Sequence, residues 1–357
     1  MSKIKLLLVD DSSLIRRVLK TLFKDDDSIE IADEAINGKI ALDKITSSQF
    51  DMVLLDYEMP EMNGLEFLKE LRKRAEIKNK PPVMVFSSLT NSGSKQTIDC
   101  LLAGAKDYIQ KPTANASGSN GIDTLKATIK EKILSITGNR RSINNSATKP
   151  DSPSTSSTRI HKPGALTKPK VKNPGLIVIG SSTGGPAALE AVLKEIPTTF
   201  RFPILIVQHM PENFTKILAE SLSRSCAITV HEVTEKTTIQ AGRAYLAGGG
   251  KHMVMLDPYT VDSVSGPAVN FCTPSVDVLF ESVAKIYKKS VVSVILTGMG
   301  RDGADGVKML KDSLDCFSIT QDQESCVVWA MPRAVFESNL SDADLPINEI
   351  GGFIANV

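Results

Sequence analysis

The sequence lacks the features that mark secreted, disulfide-rich or membrane-spanning proteins. Its five cysteines are scattered along 357 residues without a CxxC pair, which argues against a disulfide framework and against a structural zinc site. No apolar run reaches the roughly 18 residues that cross a bilayer. The first residues, Met-Ser-Lys-Ile-Lys, lead into a short apolar run without a small-residue cleavage site, so no signal peptide is expected. We therefore expect a cytoplasmic protein without membrane insertion.

The chain as a whole also lacks an excess of charge of either sign. Lysine and arginine number 42 and aspartate and glutamate 41, which leaves a net charge of +1. This balance provides no global field that would attract nucleic acid or an anionic membrane. With 41% hydrophobic residues over 357 positions, the composition is that of a globular protein with two or three domains.

Residues 138–172 differ in composition from the rest of the chain. They include ten serines and threonines and four prolines, and eight basic residues against one acid, a net charge of +7. Such a segment cannot bury enough apolar surface to offset its ordering entropy, so we expect a flexible basic linker. A nucleic-acid-binding arm is the alternative, and the lack of aromatic residues for base stacking disfavours it. The linker would separate a domain of residues 1–137 from a domain of residues 173–357.

Apolar strand patterns alternate with helical patterns on both sides of this linker. The main buried runs of the first domain are 4–9, 51–56, 83–86 and 108–109. Those of the second domain are 176–179, 204–207, 228–233, 244–246, 253–256 and 291–296. Strands buried on both faces and separated by helices indicate doubly wound parallel sheets. We predict two α/β domains, of which the second is the larger.

Polar residues follow the predicted strands of the first domain. Asp10 and Asp11 follow the first strand, Asp56 ends the second, and Lys111 follows the last. Ligands of such sheets bind beyond the carboxyl ends of the strands. Three converging carboxylates suit Mg²⁺, and a lysine opposite them can pair with an added phosphoryl group. The pattern indicates phosphoryl transfer to an aspartate.

At these residues, segment 1–137 resembles the response-regulator receiver domain, which has a flavodoxin-like fold. The resemblance implies that Asp56 accepts the phosphoryl group from a histidine kinase, with Mg²⁺ as cofactor. It implies that Asp10 and Asp11 are the acidic pair, with Asp11 the direct metal ligand. Glu58 would contribute its backbone carbonyl to the metal.

The resemblance also implies three switch residues in this domain. Ser87 would be the switch hydroxyl, Tyr108 the switch aromatic residue and Lys111 the lysine that precedes a proline. Spacing alone does not distinguish Ser87 from Ser88, and we choose Ser87. A core-edge aromatic is the alternative interpretation of Tyr108.

A glycine-rich turn follows the first strand of the second domain. Residues 180–184 read Gly-Ser-Ser-Thr-Gly, a G-x-S-x-G pattern with Ser182 at its centre, between a strand and a helix. The glycines permit a turn that exposes the serine, and the helix start offers N–H groups to an oxyanion. A phosphate-binding turn is disfavoured because the G-x-G-x-x-G spacing and the P-loop lysine are missing. A purely structural Gly/Ser turn remains an alternative.

A serine nucleophile needs a base. His209 follows the run 204–207 and lies at the same sheet edge as Ser182 if the two strands are neighbours. His231 and His252 are further candidates in this domain, and surface or capping roles suit them better.

Asp302 is the candidate for the orienting acid. It lies in a glycine-rich loop after the run 291–296, and capping of the following helix is its alternative role. The chain order Ser182, His209, Asp302 is acceptable because geometry, not order, defines a triad.

Five segments of the second domain closely resemble the catalytic domain of the chemotaxis receptor methylesterases, the CheB family. They are 179–185, 207–211, 266–270, 274–280 and 295–303. The resemblance covers about residues 175–357, and with the receiver the whole architecture matches. It implies Ser182 as nucleophile, His209 as general base and Asp302 as its orienting acid.

The resemblance implies a phosphorylation-activated hydrolase of glutamate γ-methyl esters on chemoreceptors, which also deamidates receptor glutamines. Thr183 and Met299 would lie near the oxyanion, and ester hydrolysis would need no cofactor. One departure is Phe271-Cys272-Thr273, where basic or histidine residues are expected in some relatives, and it bears on receptor choice. A response regulator that hydrolyses another small ester is the alternative. A DNA-binding response regulator is disfavoured, because no helix-turn-helix is recognisable and only the linker is basic.

Overall fold

The computed structural model describes residues 3–87, 91–111, 119–146 and 174–357. Two compact units make up the chain, Met1–Arg140 and Arg141–Val357. Within the described ranges, no helix is both long enough and apolar enough to cross a membrane.

The first unit is a five-stranded parallel sheet flanked by helices. Its strands are Ile4–Val9 (β1), Ile29–Ala35 (β2), Met52–Asp56 (β3), Val83–Ser87 (β4) and Asp107–Gln110 (β5). Its helices are Ser13–Phe23 (α1), Gly38–Ser47 (α2), Gly64–Lys73 (α3), Asn91–Leu102 (α4) and Ser119–Ser146 (α5). The strand order β2-β1-β3-β4-β5 is the flavodoxin-like doubly wound order, which places the binding edge at the ends of β1 and β3.

Burial explains why most of these elements form. Every residue of β3 and β4 is buried, as expected of central strands covered by helices on both faces. Helix α1 begins after Ser12, whose side chain accepts a hydrogen bond from the Ile15 N–H, so Ser12 is the N-cap. The closing helix α5 runs to Ser146 and therefore includes the first nine residues of the predicted linker. Residues 147–172 of that linker lie outside the described residues.

The second unit contains two sheets. Its strands are Leu176–Ser181 (β6), Ile204–Gln208 (β7), Thr229–Val233 (β8), Thr237–Thr238 (β9), Arg243–Ala247 (β10), His252–Asp257 (β11), Thr260–Val264 (β12), Val291–Ile295 (β13), Cys316–Gln321 (β14) and Ala343–Leu345 (β15). Its helices are Gly185–Lys194 (α6), Glu212–Ser225 (α7), Val276–Ile286 (α8), Ala304–Ser313 (α9), Ala330–Glu337 (α10) and Ile347–Ala355 (α11). The prediction of two α/β domains with a larger second one is confirmed.

A seven-stranded parallel sheet, in the order β15-β14-β13-β6-β7-β10-β8, forms the body of this unit. The run 253–256 belongs instead to a separate antiparallel sheet of three strands, β11-β12-β9. Strands β13, β6 and β7 are direct neighbours in the large sheet. The loops that follow them therefore meet at one edge.

Candidate active site and phosphoacceptor site

Three carboxylates of the first unit lie together at the ends of β1 and β3. Asp10 is buried after β1, Asp11 is exposed next to it, and Asp56 is the buried last residue of β3. An oxygen of each lies within 4.8 Å of an oxygen of the other two. The structure thus brings together the three acids that the sequence singles out.

One lysine partly offsets this buried negative charge. Lys111 Nζ lies 2.6 Å from Asp56 Oδ1 and 3.7 Å from Asp10 Oδ2. Burial, together with the charge of Asp56, raises the pKa of Asp10 to about 6, and burial also raises the pKa of Asp56. A divalent cation would relieve this repulsion, and a set of hard oxygen donors fits Mg²⁺.

Ser87 is the last residue of β4, the strand that pairs with β3. Its Oγ accepts a hydrogen bond of 2.5 Å from Thr97 Oγ1, and Thr97 belongs to α4. The hydroxyl is therefore connected to the helix that follows its strand. Ser88, the alternative to Ser87, lies outside the described residues.

Tyr108 and Glu58 lie in neighbouring parts of the same unit. Tyr108 belongs to β5, and its ring faces Lys132 Nζ at 5.2 Å from the ring centroid. Burial raises the pKa of Tyr108, so its hydroxyl stays neutral. Glu58 is exposed two residues after β3, and its Oε1 accepts a long hydrogen bond of 3.5 Å from Gln96.

Ser182 lies in the turn that joins β6 to α6. Its N–H donates to Thr297 O at 3.0 Å and its carbonyl accepts from Gly185 N at 2.8 Å, while Gly184 has a φ of +81°. A Cβ atom at Gly298 would lie 2.8 Å from the Cβ of Ser182, so only glycine permits the loop after β13 to approach the serine this closely. Ser182 thus has the strand–turn–helix setting that a G-x-S-x-G nucleophile requires.

Gln208 connects the serine turn to the histidine. It is 2% exposed at the end of β7, and its Oε1 accepts from Ser181 Oγ at 2.7 Å. Its Nε2 donates to the carbonyls of Ser182 and His209 at 2.9 and 3.1 Å. Sequence reasoning assigned no role to this residue, although it lies beside His209 at a predicted strand end and within a segment that carries the family resemblance.

His209 and Asp302 form a close pair. His209 Nε2 lies 2.7 Å from Asp302 Oδ2, and the backbone N–H of His209 donates to Ser181 O at 3.0 Å. Burial opposes the charged imidazolium, but Asp302 and the thiol of Cys272 outweigh it and raise the pKa of His209 to about 9. The same pairing overcomes burial at Asp302 and holds the pKa of that carboxyl well below its usual range.

The Asp302 carboxylate is 1% exposed and accepts five hydrogen bonds. At distances of 2.7–3.1 Å, the donors are His209 Nε2, Asn270 Nδ2, Ser275 Oγ and the backbone N–H groups of Val276 and Asp277. The two backbone donors belong to the first turn of α8. The carboxylate therefore lies at a helix N-terminus, which favours its charge.

Asp277 makes the reciprocal arrangement in the next helix. Its Oδ1 accepts from the N–H groups of Gly303 and Gly306, at 2.9 and 2.6 Å, at the start of α9. Asn270 Nδ2 donates to Asp277 Oδ2 at 2.7 Å as well as to Asp302. Asp302 thus caps α8, which contains Asp277, and Asp277 caps α9, which begins two residues after Asp302. Sequence reasoning assigned no role to Asn270 or Asp277, although both lie in segments that carry the family resemblance.

The second ring nitrogen of the histidine faces a thiol. Cys272 Sγ lies 3.4 Å from His209 Nδ1. In the described part of the chain, the side-chain hydrogen bonds of His209 go to Asp302 and Cys272 and not to Ser182. Phe271, before the cysteine, is fully exposed with a φ of +62°. The segment that departs from the expected family pattern therefore contacts His209, the candidate base.

Thr183 follows Ser182 directly in the chain, and Met299 follows the glycine whose backbone approaches Ser182. Thr183 is buried, and its carbonyl accepts a hydrogen bond of 2.9 Å from Thr297 Oγ1. Met299 is half-buried and directly follows Gly298, whose backbone approaches Ser182.

His231 and His252, the other two described histidines of this unit, have partners away from the serine. His231 Nε2 lies 3.3 Å from Arg243 Nη1 on β10. His252 is buried, its Nδ1 accepts from Ser275 N at 3.2 Å, and its Nε2 lies 3.0 Å from Pro267 O. His252 thus accepts a hydrogen bond from Ser275, the N-cap of α8, which agrees with a capping role. Its burial excludes a surface role.

Comparison with known proteins finds relatives of both units. The family model described as CheB methylesterase matches residues 177–354, and the response regulator receiver domain matches residues 6–122. The protein-glutamate methylesterase/protein-glutamine glutaminase of Trichodesmium erythraeum is 38% identical over 98% of this chain and 97% of its own length. That of Desulfotalea psychrophila is 40% identical over 98% and 97%. The crystal structure of the Thermotoga maritima CheB methylesterase catalytic domain shares 36% identity over 52% of this chain and all of that chain, with a TM-score of 0.49. The chain belongs to the CheB family of protein-glutamate methylesterases/protein-glutamine glutaminases.

Proposed function

We propose that this chain hydrolyses glutamate γ-methyl esters on the cytoplasmic helices of chemoreceptors and deamidates receptor glutamines, as a phosphorylation-regulated enzyme of chemotaxis. The observation that carries the proposal is the 2.7 Å pair of His209 Nε2 and Asp302 Oδ2 next to the turn of Ser182, on loops that follow three neighbouring parallel strands. A hydroxyl, an imidazole and a carboxylate in this arrangement perform acyl transfer.

The hydrogen bond to Asp302 fixes which ring nitrogen acts as the base. In the neutral imidazole, Nε2–H donates to the carboxylate and Nδ1 carries the lone pair. Because the pKa of His209 is raised to about 9, the fraction of this active form grows as the pH rises towards that value. Nδ1 takes the proton of Ser182 as its Oγ attacks the ester carbonyl, and the Cys272 thiol must then turn away from Nδ1. The histidine returns the proton to methoxide, which leaves as methanol. Water then attacks the acyl-enzyme, with His209 again as the base.

The oxyanion of each tetrahedral intermediate needs donors beside Ser182. The start of α6 directs backbone N–H groups and the positive end of the helix dipole towards this turn. We assign Thr183 and Met299 to the surroundings of the oxyanion, since Thr183 follows the serine in the chain and Met299 follows the glycine that approaches it. We expect ester hydrolysis to need no cofactor.

In the receiver, Asp56 accepts the phosphoryl group from a histidine kinase. Asp10, Asp11, Asp56 and the Glu58 carbonyl would hold Mg²⁺, which neutralises phosphoryl oxygens when it is bound. Lys111, already 2.6 Å from Asp56, pairs with the added charge. Ser87 and Tyr108 act as the switch residues that respond to it.

The test is methanol release from methylated receptor membranes. Ser182→Ala and His209→Ala should each remove most activity, and the double variant should lose little more, because residues that act as a unit are not additive. His231→Ala is the matched control and should remain active. A serine-directed phosphonate should label Ser182. Activity of His209→Ala near that of the parent would refute the assignment of the base. Hydrolysis of small esters without methanol release from receptors would favour the alternative substrate.

A further inference from the structure

A thiol and an imidazole lie at the spacing of two ligands of one metal ion. Ligand atoms of His209, Cys272 and Asp302 all lie within 4.8 Å of one another. The separation of Cys272 Sγ and His209 Nδ1 is 3.4 Å. Around tetrahedral zinc, with Zn–S near 2.3 Å and Zn–N near 2.0 Å, sulfur and nitrogen ligands lie about 3.5 Å apart. The observed separation thus matches that of a sulfur and a nitrogen ligand of one zinc ion.

The third residue of the cluster supports this pair from outside. A histidine that binds a metal usually donates its other ring N–H to a carboxylate, which fixes the tautomer and increases the basicity of the ligand nitrogen. Asp302 accepts that bond here, at 2.7 Å from Nε2. The lone pair of Nδ1 is therefore directed to the side where Cys272 lies. The hydrogen bond that prepares His209 as a base also prepares it as a zinc ligand.

The loop holds the thiol in this position. Val269 and Cys272 pair through two backbone hydrogen bonds of 2.9 and 3.1 Å, and the two residues between them both have positive φ. Asn270 ties the turn to Asp302 through its side chain. Cys272 is half-buried, so an ion can reach it from solvent. Because little ordering remains to be done, metal binding here loses little entropy.

We propose that Cys272 and His209 form a Zn²⁺ site and that bound Zn²⁺ inhibits ester hydrolysis. The ion occupies the Nδ1 lone pair that must accept the proton of Ser182. On binding, the Cys272 thiol and the Nδ1–H of a protonated His209 each release a proton to solvent. Metal binding stands independently of the proposed function, whereas inhibition rests on it. Loss of the general base predicts a decrease in rate of about 10²–10⁴-fold at full occupancy.

The other cysteines do not compete well for the ion. Burial raises the pKa of Cys100 to about 12 and that of Cys316 to about 11, so both remain protonated near neutral pH. Only the thiolate is a good metal ligand. Cys226 is half-buried like Cys272 and lies on the end of α7, which makes it a matched control.

The direct test is titration of the full-length protein with Cd²⁺, a thiophilic substitute for Zn²⁺ whose thiolate complexes absorb in the ultraviolet. Carboxylates give no such band, so the acids of the receiver do not contribute. We expect the band in the parent, Cys226→Ala and Ser182→Ala, and its loss in Cys272→Ala and Cys272→Ser, which lack the thiolate. Circular dichroism of the variants checks their folding. An unchanged band in both Cys272 variants, or no band in the parent, would overturn the site.

The functional test compares methanol release with and without Zn²⁺ for each variant. The parent and Cys226→Ala should be inhibited and should recover with a chelator, while Cys272→Ala should show the same rate with and without the metal. Equal inhibition of Cys272→Ala would overturn the proposed inhibition through this site. If the parent released no methanol at all, the proposed function would fail, and the Cd²⁺ band would still decide the metal site.

Discussion

Replacing Asp302 by asparagine tests directly whether the Asp302 carboxylate holds the His209 imidazole in the tautomer that the proposed mechanism needs. All five groups that contact this side chain are donors, and a carboxylate is purely an acceptor. Asparagine has one acceptor oxygen and one donor NH₂. Its oxygen should take the Oδ1 position, where Ser275, Asn270 and the Asp277 N–H all donate. The NH₂ group then faces the Val276 N–H and His209 Nε2.

Two effects of different size follow from this orientation. The imidazole can satisfy the NH₂ group only by accepting at Nε2, which moves its own proton to Nδ1, where the base lone pair is needed. The corresponding change in Ser-His-Asp triads lowers kcat by about 10⁴-fold, or about 5.5 kcal/mol of transition-state stabilisation. The Val276 N–H loses its acceptor, which should lower the free energy of unfolding by about 1–3 kcal/mol. The fold should therefore survive, while catalysis should not.

The assay is methanol release from methylated receptor membranes by phosphorylated full-length protein, with urea denaturation in parallel. Asn270→Gly is the matched control, since it removes one donor to the same carboxylate and glycine accepts the φ of +50° at that position. It should stay within about 10-fold of the parent, because the tautomer is unchanged. A folded Asp302→Asn variant that keeps more than a tenth of the parental kcat would refute the reasoning.

Three further predictions concern the receiver and the loop beside the active site. Acetyl phosphate with Mg²⁺ should phosphorylate the parent but not Asp56→Asn, and equal mass shifts of both proteins would disprove Asp56 as the acceptor. Burial works against the charge of Asp26, but Lys130 Nζ at 2.8 Å and the Ser28 hydroxyl and N–H outweigh it and hold its pKa well below its usual range. Asp26→Asn should therefore lower the free energy of unfolding by about 2 kcal/mol at neutral pH. This deficit should shrink as the pH falls below about 4, because a carboxyl with a depressed pKa in the folded state adds stability only above its unfolded pKa. A deficit that does not change with pH in urea denaturation would contradict this. Phe271→Ser should raise KM for receptor membranes by about 10-fold, because an exposed aromatic contact is lost, and should leave hydrolysis of a small soluble ester unchanged. An unchanged KM would exclude Phe271 as a receptor contact.

Residues at strand ends could be predicted because their strands are uniformly apolar. The runs that became β3, β6 and β7 are buried throughout, and each ends at or directly before a candidate site residue. The run that became β13 is also buried, but it ends seven residues before Asp302. Their order in the sheet could not be predicted, since it depends on where each helical crossover returns. Strand β2 was missed because its sequence, Ile-Glu-Ile-Ala-Asp-Glu-Ala, is rich in residues that disfavour strands. Its pairing with β1 at the edge of the sheet overrides that preference.

Residues that act through distant hydrogen bonds left little signal in the sequence. Asp277 caps a helix that begins 27 positions later, and Cys272 meets a histidine 63 positions earlier. No local spacing rule relates such pairs. Elements after residue 310, namely β14, α10, β15 and α11, were not predicted either, although β14 and β15 complete one side of the large sheet.

The mutual capping of α8 and α9 means that the position of the Asp302 carboxylate beside His209 depends on contacts between two helices distant in sequence. Asp302 and Asp277 each bind backbone amides of the other helix start, so neither helix can fray at that end without releasing one of the acids. A local opening at the start of α8 would remove the two backbone donors that hold Asp302, the partner of the His209 imidazole. The rate of amide hydrogen exchange at the starts of α8 and α9 therefore reports how often the His209–Asp302 pair is disrupted by local opening.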